Sequence, residues 1–198
     1  MNRIKKTVNF LYEIGGLKRI QRAGWGNIGI RNPDSVAEHV FATSQIAYIL
    51  GKMEKAKAER AVLIALFHDN GEARIGDQNL VNKLYLEGRL EEKAFFEQIK
   101  DLPGNEEVES LYREWEKQET IESIVAKDAD WIELAVQAKC YFNSGNKLAE
   151  LWIKHAKTQL KTESAKKLLK MIEKTDIDEW WKEIPEIKRN VKKAEREK

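Results

Sequence analysis

Apolar side chains recur every three to four residues along most of the chain, a spacing that predicts amphipathic helices. Near the N-terminus, Val8, Leu11 and Tyr12 share one face of a first predicted helix. The pair Gly15-Gly16 would end that helix. No stretch alternates cleanly between apolar and polar residues, and the chain has only 3 prolines. The pattern therefore predicts an all-α protein.

Seven further helical segments follow an irregular loop at residues 23–34, which holds three of the glycines and an Asn-Pro pair. Ser35 and Glu38 have the spacing of a capping box, so a helix is expected to begin at Ser35. The segments are predicted at about 35–51, 54–68, 89–100, 106–118, 120–143, 147–161 and 164–173. There is no internal repeat and no obvious linker. We expect one compact domain over residues 1–185, with a charged C-terminal extension at 186–198.

Composition and charge exclude several classes of protein. The 198 residues are 42% hydrophobic and 34% charged, which is ordinary for a globular domain. With 35 basic and 33 acidic residues the net charge is +2, so a basic surface for a nucleic-acid polymer is not expected. The longest apolar run, residues 61–67, is far shorter than the roughly 18 residues of a membrane helix. Cys140 is the single cysteine, which excludes an internal disulfide and favours a cytosolic protein.

A His-Asp pair stands directly after that apolar run. His68 and Asp69 follow the seven apolar residues 61–67 at the end of the predicted 54–68 helix. A carboxylate buried there without a partner would be costly, and a metal ion would supply one. Taken alone, the pair fits hydrogen bonding at a helix end equally well.

Two more residues make a metal site the better interpretation. His39 lies in the first turn of the helix that Ser35 begins, and Asp130 lies inside the longest helix. Asp130 is preferred to Asp128 because its neighbours are apolar, while Asp128 points about 200° away around the helix. Two imidazoles and two carboxylates suit one Mn²⁺, Fe²⁺, Co²⁺, Ni²⁺ or Zn²⁺ ion better than Mg²⁺.

These residues resemble the H…HD…D signature of the HD-domain phosphohydrolases, an all-helical, metal-dependent superfamily. His39, His68, Asp69 and Asp130 occupy the ligand positions of that signature. The stretches similar to its 5′-deoxynucleotidase branch are residues 17–25, 33–39, 67–77 and 126–133, in the expected order. The resemblance implies hydrolysis of deoxyribonucleoside 5′-monophosphates, a small nucleotide as the partner, and a homodimer.

The resemblance also implies roles around the metal. Glu72 would move a proton, Asp77 would accept a hydrogen bond from a sugar hydroxyl, and Trp25 would help to exclude a 2′-hydroxyl. Arg22 would bind phosphate, and Lys127 would lie near it. Each has an ordinary alternative: Glu72 as a solvated helix residue, Asp77 as an N-cap, Trp25 as a core aromatic, Arg22 as a surface charge.

Two features depart from the pattern of the bacterial branch. Gly24 replaces the arginine that directly precedes the tryptophan there, so Arg19 and Arg31 compete with Arg22 for the phosphate. Gln78 and Asn79 replace small or proline residues after Asp77. Two other functions stay open: a phosphodiesterase or nucleotide pyrophosphohydrolase, and a non-catalytic nucleotide-binding module that keeps the metal for stability.

Overall fold

The computed structural model describes residues 2–86 and 90–189. Within these ranges the chain is helical and contains no strand, which confirms the all-α class. The helices are α1 Arg3–Ile14, α2 Val36–Met53, α3 Ala58–Phe67, α4 Glu72–Ile75, α5 Leu80–Tyr85, α6 Leu90–Ile99, α7 Asn105–Lys117, α8 Ile121–Asn143, α9 Glu150–Gln159, α10 Glu163–Ile172 and α11 Glu179–Lys182. Three 3-10 turns add Gly15–Arg19, Ala23–Ile28 and Lys147–Ala149.

The core lies where α2, α3 and α8 pack against one another, with α7, α9 and α10 around α8. Small residues let these helices approach closely: Ala61 and Ala65 of α3 and Ala129 of α8 are fully buried in the same cluster. Gly51 of α2 serves the same purpose, since a Cβ there would lie 2.8 Å from the Cα of Ala58. The three helices that carry the predicted ligands therefore form one tightly packed unit.

The capping box predicted at the start of α2 is present. The Ser35 side chain accepts a hydrogen bond from the backbone of Glu38, and the Glu38 carboxylate accepts one from the Ser35 backbone at 2.7 Å. Together these bonds satisfy two of the backbone N–H groups that a helix N-terminus leaves free. They fix the first turn of α2, which carries His39.

The first helix ends at Ile14, directly before the predicted stop at Gly15-Gly16. Its residues Val8, Leu11 and Tyr12 are exposed, and its buried residue is Phe10, which packs against α6 and α7. One sequence-based expectation was wrong. The helix predicted from residue 54 begins at Ala58, because Lys55 adopts a left-handed φ of 57° where the chain leaves α2.

The predicted domain boundary at residue 185 stays a prediction. Residues 185–189 are helical, but most of the charged extension lies outside the described residues. Among the helices that are described, none is long and apolar enough to cross a membrane.

Candidate metal and phosphate site

Three of the four predicted metal ligands converge from three helices. His39 lies on α2, His68 follows the last residue of α3, and Asp130 lies in the middle of α8. One ligand atom of each lies within 4.8 Å of the others. Both Nε2 atoms are buried without a hydrogen-bond partner among the described residues. Two buried imidazole nitrogens without partners, facing a carboxylate, form an arrangement that a metal cation would satisfy.

The other ring nitrogen of each histidine fixes which nitrogen faces the cluster. His68 Nδ1 donates to the carbonyl oxygen of Ala65 at 2.6 Å. His39 Nδ1 donates to the carboxylate of Glu133, which is itself buried. These hydrogen bonds hold the Nδ1 protons in place, so that Nε2 of each ring faces the cluster and becomes a metal ligand once it carries no proton. Sequence analysis missed Glu133, although its position three residues after Asp130 places both on one side of α8.

The charge around His39 also favours a cation. Burial and the positive charge of Arg22 lower the pKa of His39, but Asp130 and Glu133 outweigh them and raise it to about 9. The carboxylates therefore attract a positive charge to this position even when only a proton is available.

Asp69 lies between the histidines and the arginine of the site. One of its oxygens is 3.1 Å from His68 Nε2, and the other is 3.3 Å from Arg22 Nη1 and 3.7 Å from His39 Nε2. Burial alone would raise the pKa of Asp69, but His68 and Arg22 hold it well below its usual range. The carboxylate is therefore ionised and faces the same space as Asp130.

Asp128, the other aspartate of this part of α8, has a different set of contacts. It points away from the cluster and is buried. Its carboxylate accepts hydrogen bonds from Lys161 N at 2.9 Å, Thr162 N at 2.7 Å and Thr162 Oγ1 at 2.6 Å. Asp128 therefore holds the start of α10.

Backbone pairing places Arg22 in the site. Gln21 and Ser35 form an antiparallel bridge, and Arg22 N donates to Asp34 O at 2.9 Å. From there the guanidinium reaches Asp77 Oδ1 at 3.5 Å as well as Asp69. Asp77 Oδ2 in turn accepts a hydrogen bond from Ala23 N at 2.5 Å.

The competing arginines do not share this position. Arg19 and Arg31 are exposed, and neither lines the cavity that Arg22 lines. Asp77 also lines that cavity, and it braces the 22–23 segment without capping a helix.

Glu72 is buried, so the alternative of a solvated helix residue is wrong. It is only 3% exposed, and its Oε2 has no hydrogen-bond partner in the described part of the chain. Burial, and then the negative charges of Asp69 and Asp77, raise the pKa of Glu72 to about 11. Without a metal ion on Asp69, Glu72 is therefore a neutral carboxylic acid.

Glu91 joins this part of the site, and sequence analysis did not find it. Oxygens of Asp69, Glu72 and Glu91 lie within 4.8 Å of one another. Glu91 reaches them because residue 71 is glycine: a Cβ there would lie 2.9 Å from Glu91 O. Burial, and then Asp69, raise the pKa of Glu91 to about 7. Nothing in its charged local sequence singles it out from its neighbour Glu92.

The two remaining predicted substrate-binding residues, Lys127 and Trp25, pack against aromatic rings. Lys127 Nζ lies 3.1 Å from Asp130 Oδ2 and 4.0 Å from the centroid of the Trp115 ring. Trp115 also contacts the ring of His68, with centroids 4.4 Å apart. Trp25 is 2% exposed and belongs to the core cluster, yet it lines the cavity as well. Trp25 is therefore a core aromatic that also faces the cavity, and its role in binding stays a prediction.

A cavity of about 310 Å³ joins these groups. Glu72 and all four predicted substrate-binding residues line it, together with Asp69 and Asp130. The two histidines lie behind this lining, in the protein interior. The cavity is thus lined by carboxylates and by aromatic rings. We refer to Asp69, Glu72 and Asp130 as the acidic cluster.

The helical fold and this cluster define a metal-dependent phosphohydrolase of the HD-domain class. Residues 14–173 match the HD domain family, and the chain therefore belongs to that family. The resemblance noted in the sequence is confirmed.

Within the HD-domain family, the chain is similar to several named proteins and solved structures. The chain is 31% identical over 145 residues to the 5′-deoxynucleotidase HDDC2 of Dictyostelium discoideum, covering 68% of this chain and 76% of that protein. It is 33% identical over 141 residues to the HDDC2 of Xenopus laevis, covering 69% and 70%. Among solved structures, a conserved hypothetical protein from Pyrococcus furiosus superimposes with a TM-score of 0.71 at 29% identity, covering 85% of this chain and 99% of that one.

Proposed function

We propose that this protein hydrolyses deoxyribonucleoside 5′-monophosphates to a deoxynucleoside and inorganic phosphate. The observation that carries the proposal is the buried cluster at the cavity floor, in which two unpartnered imidazole nitrogens face Asp69 and Asp130 beside the neutral acid Glu72. The similarity to named 5′-deoxynucleotidases supports the choice of substrate.

One divalent transition-metal ion would be held by His39, His68, Asp69 and Asp130. Two imidazole ligands favour Mn²⁺, Fe²⁺, Co²⁺, Ni²⁺ or Zn²⁺ over Mg²⁺, which prefers oxygen ligands. The ion would lower the pKa of a water molecule bound to it and polarise a phosphoryl oxygen. The hydrogen bonds from Nδ1 of both histidines would keep their Nε2 atoms aimed at the ion.

Glu72 is the proton-transfer group in this proposal. Its neutral carboxyl group would donate a proton to the 5′-oxygen that leaves phosphorus, so that the deoxynucleoside departs as an alcohol. Arg22 and Lys127 would offset the charge of the phosphate. Both line the cavity, and both are held beside ligand carboxylates at 3.3 Å and 3.1 Å.

Asp77 and Trp25 would bind the sugar. Asp77 keeps acceptor capacity on Oδ1, because only the long 3.5 Å contact to Arg22 uses that oxygen. Trp25 is fixed by edge-to-face contacts with Tyr141 and Trp152, at centroid distances of 5.0 and 5.9 Å. A rigid ring at this wall would leave no room for a 2′-hydroxyl and so favour deoxyribose.

The test is phosphate release by metal-reconstituted protein from a panel of 5′-deoxynucleotides, 5′-ribonucleotides, 3′-deoxynucleotides, deoxynucleoside triphosphates and a phosphodiester. Preferential release of orthophosphate from 5′-deoxynucleotides supports the proposal. Release of pyrophosphate or triphosphate, or cleavage of the diester, would support the pyrophosphohydrolase or phosphodiesterase instead. A non-catalytic module predicts that Glu72→Ala changes no activity and that Asp69→Ala only lowers the melting temperature.

We also propose a cytosolic homodimer. Phe41, Tyr48 and Ile49 form an apolar stripe on α2 and are 70%, 46% and 52% exposed. An exposed apolar stripe of this kind is typical of a surface that a second copy covers. The expected result is a dimer mass by light scattering, and a monomer for Phe41→Asp. The single cysteine fits a reducing compartment.

A further inference from the structure

The cavity has an apolar side that the proposed phosphate and sugar contacts do not use. Trp131 and Leu134 of α8 and Trp152 of α9 line it together, and we refer to these three residues as the aromatic wall. All three are half-buried, so part of each side chain faces the cavity. Trp131 is the residue directly after Asp130, and Leu134 lies about one helical turn after Asp130. The aromatic wall therefore begins directly beside the acidic cluster.

Both rings of the aromatic wall are held by edge-to-face contacts with neighbouring rings. Trp131 makes an edge-to-face contact with His155, with centroids 5.2 Å apart and an interplanar angle of 83°. Trp152 makes one with Trp25, at 5.9 Å and 79°. Rings fixed in this way present a flat apolar surface at little cost in side-chain entropy.

Gly24 borders the Trp152 ring. A Cβ on residue 24 would lie 3.8 Å from Cη2 of that ring, which is ordinary contact distance. We therefore expect a longer side chain at residue 24 to contact the ring and compete with a base for it. The glycine that departs from the bacterial pattern thus has a structural consequence inside the cavity.

We propose that the aromatic wall binds the nucleobase of the substrate by stacking, an inference that rests on the proposed function. In a nucleoside 5′-monophosphate the base is attached to C1′ and the phosphate reaches C4′ through C5′, so the sugar connects the two. With the phosphate beside Lys127 and the sugar at Asp77 and Trp25, the base reaches the next part of the cavity. Lys127 lies between the acidic cluster and the aromatic wall, because its Nζ is 3.1 Å from Asp130 Oδ2 and 5.8 Å from the Trp131 ring centroid.

The chemistry of the wall sets the base preference. Stacking on an aromatic face accepts every base, because each base has a π-face, and a purine offers a larger one than a pyrimidine. The subsite therefore predicts a base-tolerant enzyme with lower KM values for purine than for pyrimidine deoxynucleotides. Discrimination between deoxyribose and ribose belongs to Trp25 and Asp77, not to the wall.

The test compares dAMP with 2-deoxyribose 5-phosphate, which has the same sugar and phosphate but no base. In metal-loaded full-length protein, Trp131→Leu should raise the KM for dAMP about tenfold or more and leave that for deoxyribose 5-phosphate within twofold. Gly24→Leu should do the same by covering the Trp152 ring while leaving the ring and its packing in place. Trp180→Leu is the matched control, since Trp180 is 74% exposed and lies outside the cavity.

The possible failures are distinguishable. If wild-type protein hydrolyses dAMP and deoxyribose 5-phosphate with equal kcat/KM, or if the variants affect both substrates equally, the base subsite is wrong and the proposed function stands. If wild-type protein releases no phosphate from dAMP, the proposed function fails. Calorimetric binding of dAMP and deoxyribose 5-phosphate to metal-loaded Glu72→Gln protein then tests the subsite separately, and equal affinities would overturn it.

Discussion

Glu133 provides the sharpest test of how the protein prepares its metal site. Its carboxylate is 7% exposed and accepts the Nδ1 proton of His39. Glu133→Gln keeps the size of the side chain and leaves an amide oxygen able to accept that proton, but removes the negative charge. Glu133→Ala removes the acceptor and leaves a buried N–H group without a partner. Neither change touches an atom that would bind the metal.

The expected magnitude follows from this difference. Loss of a carboxylate that orients a ligating histidine costs about 10- to 100-fold in metal affinity, or roughly 1.4 to 2.7 kcal/mol. We expect Glu133→Gln near the lower figure, because the hydrogen bond is weakened but kept. We expect Glu133→Ala near the upper figure, because the His39 ring is then free to turn.

The assay is titration of metal-free protein with Mn²⁺ or Co²⁺ against a competing chelator. Glu109→Gln is the matched control, because Glu109 pairs with Arg113 on the surface of α7, away from the cluster. Melting curves of the metal-free variants separate loss of affinity from loss of fold. If both Glu133 variants bind metal within twofold of wild type, the assigned role of Glu133 is wrong.

Other predictions concern proton transfer by Glu72, the choice of Asp130 as a metal ligand, the positioning of Lys127, and removal of the metal. Glu72→Gln should lower kcat by about 10²- to 10⁴-fold with the metal Kd unchanged, and an unchanged kcat would contradict proton transfer by Glu72. Asp128→Asn should lower the free energy of unfolding by about 1–3 kcal/mol and leave metal affinity intact, whereas Asp130→Asn should mainly weaken metal binding; a reversed result would exchange their roles. Trp115→Leu should raise KM about fivefold by freeing Lys127, with partial recovery in Trp115→Phe, and equal KM values would exclude the cation–π contact as a positioning element. Metal at 100 times its Kd should stabilise the fold by about 2.7 kcal/mol in thermal unfolding, and an unchanged melting temperature after chelation would argue against a site built into the native state.

The sequence was most informative where local pattern and chemistry coincide. The capping box at Ser35 predicted the start of α2 and hence the helical position of His39. The apolar run before His68 predicted that the His-Asp pair would be buried, as it is. The first helix shows the limit of such patterns, because an apolar stripe does not say whether a partner covers it. There Phe10 is buried, while Tyr12 of the predicted face is 77% exposed.

The surroundings of the cluster depend on contacts distant in sequence, so local pattern could not reveal them. Glu91 reaches Glu72 from α6 only because Gly71 leaves room for its backbone. Trp115 contacts His68 from α7, a helix whose apolar residues predict burial but no particular neighbour. Glu133 could have been found, since it lies one helical turn after Asp130.

Phosphate release from matched nucleotide pairs tests the central claim most directly. Metal-free protein is reconstituted with Co²⁺ or Mn²⁺ and supplied with dAMP and AMP at equal concentrations, with metal-free protein as the blank and Glu72→Gln protein as the comparison. We predict orthophosphate from dAMP, a clearly lower kcat/KM for AMP, and release by the variant that is slower by about 10²-fold or more. Equal rates on both nucleotides, or an unchanged rate in Glu72→Gln, would contradict the proposed deoxynucleotidase mechanism.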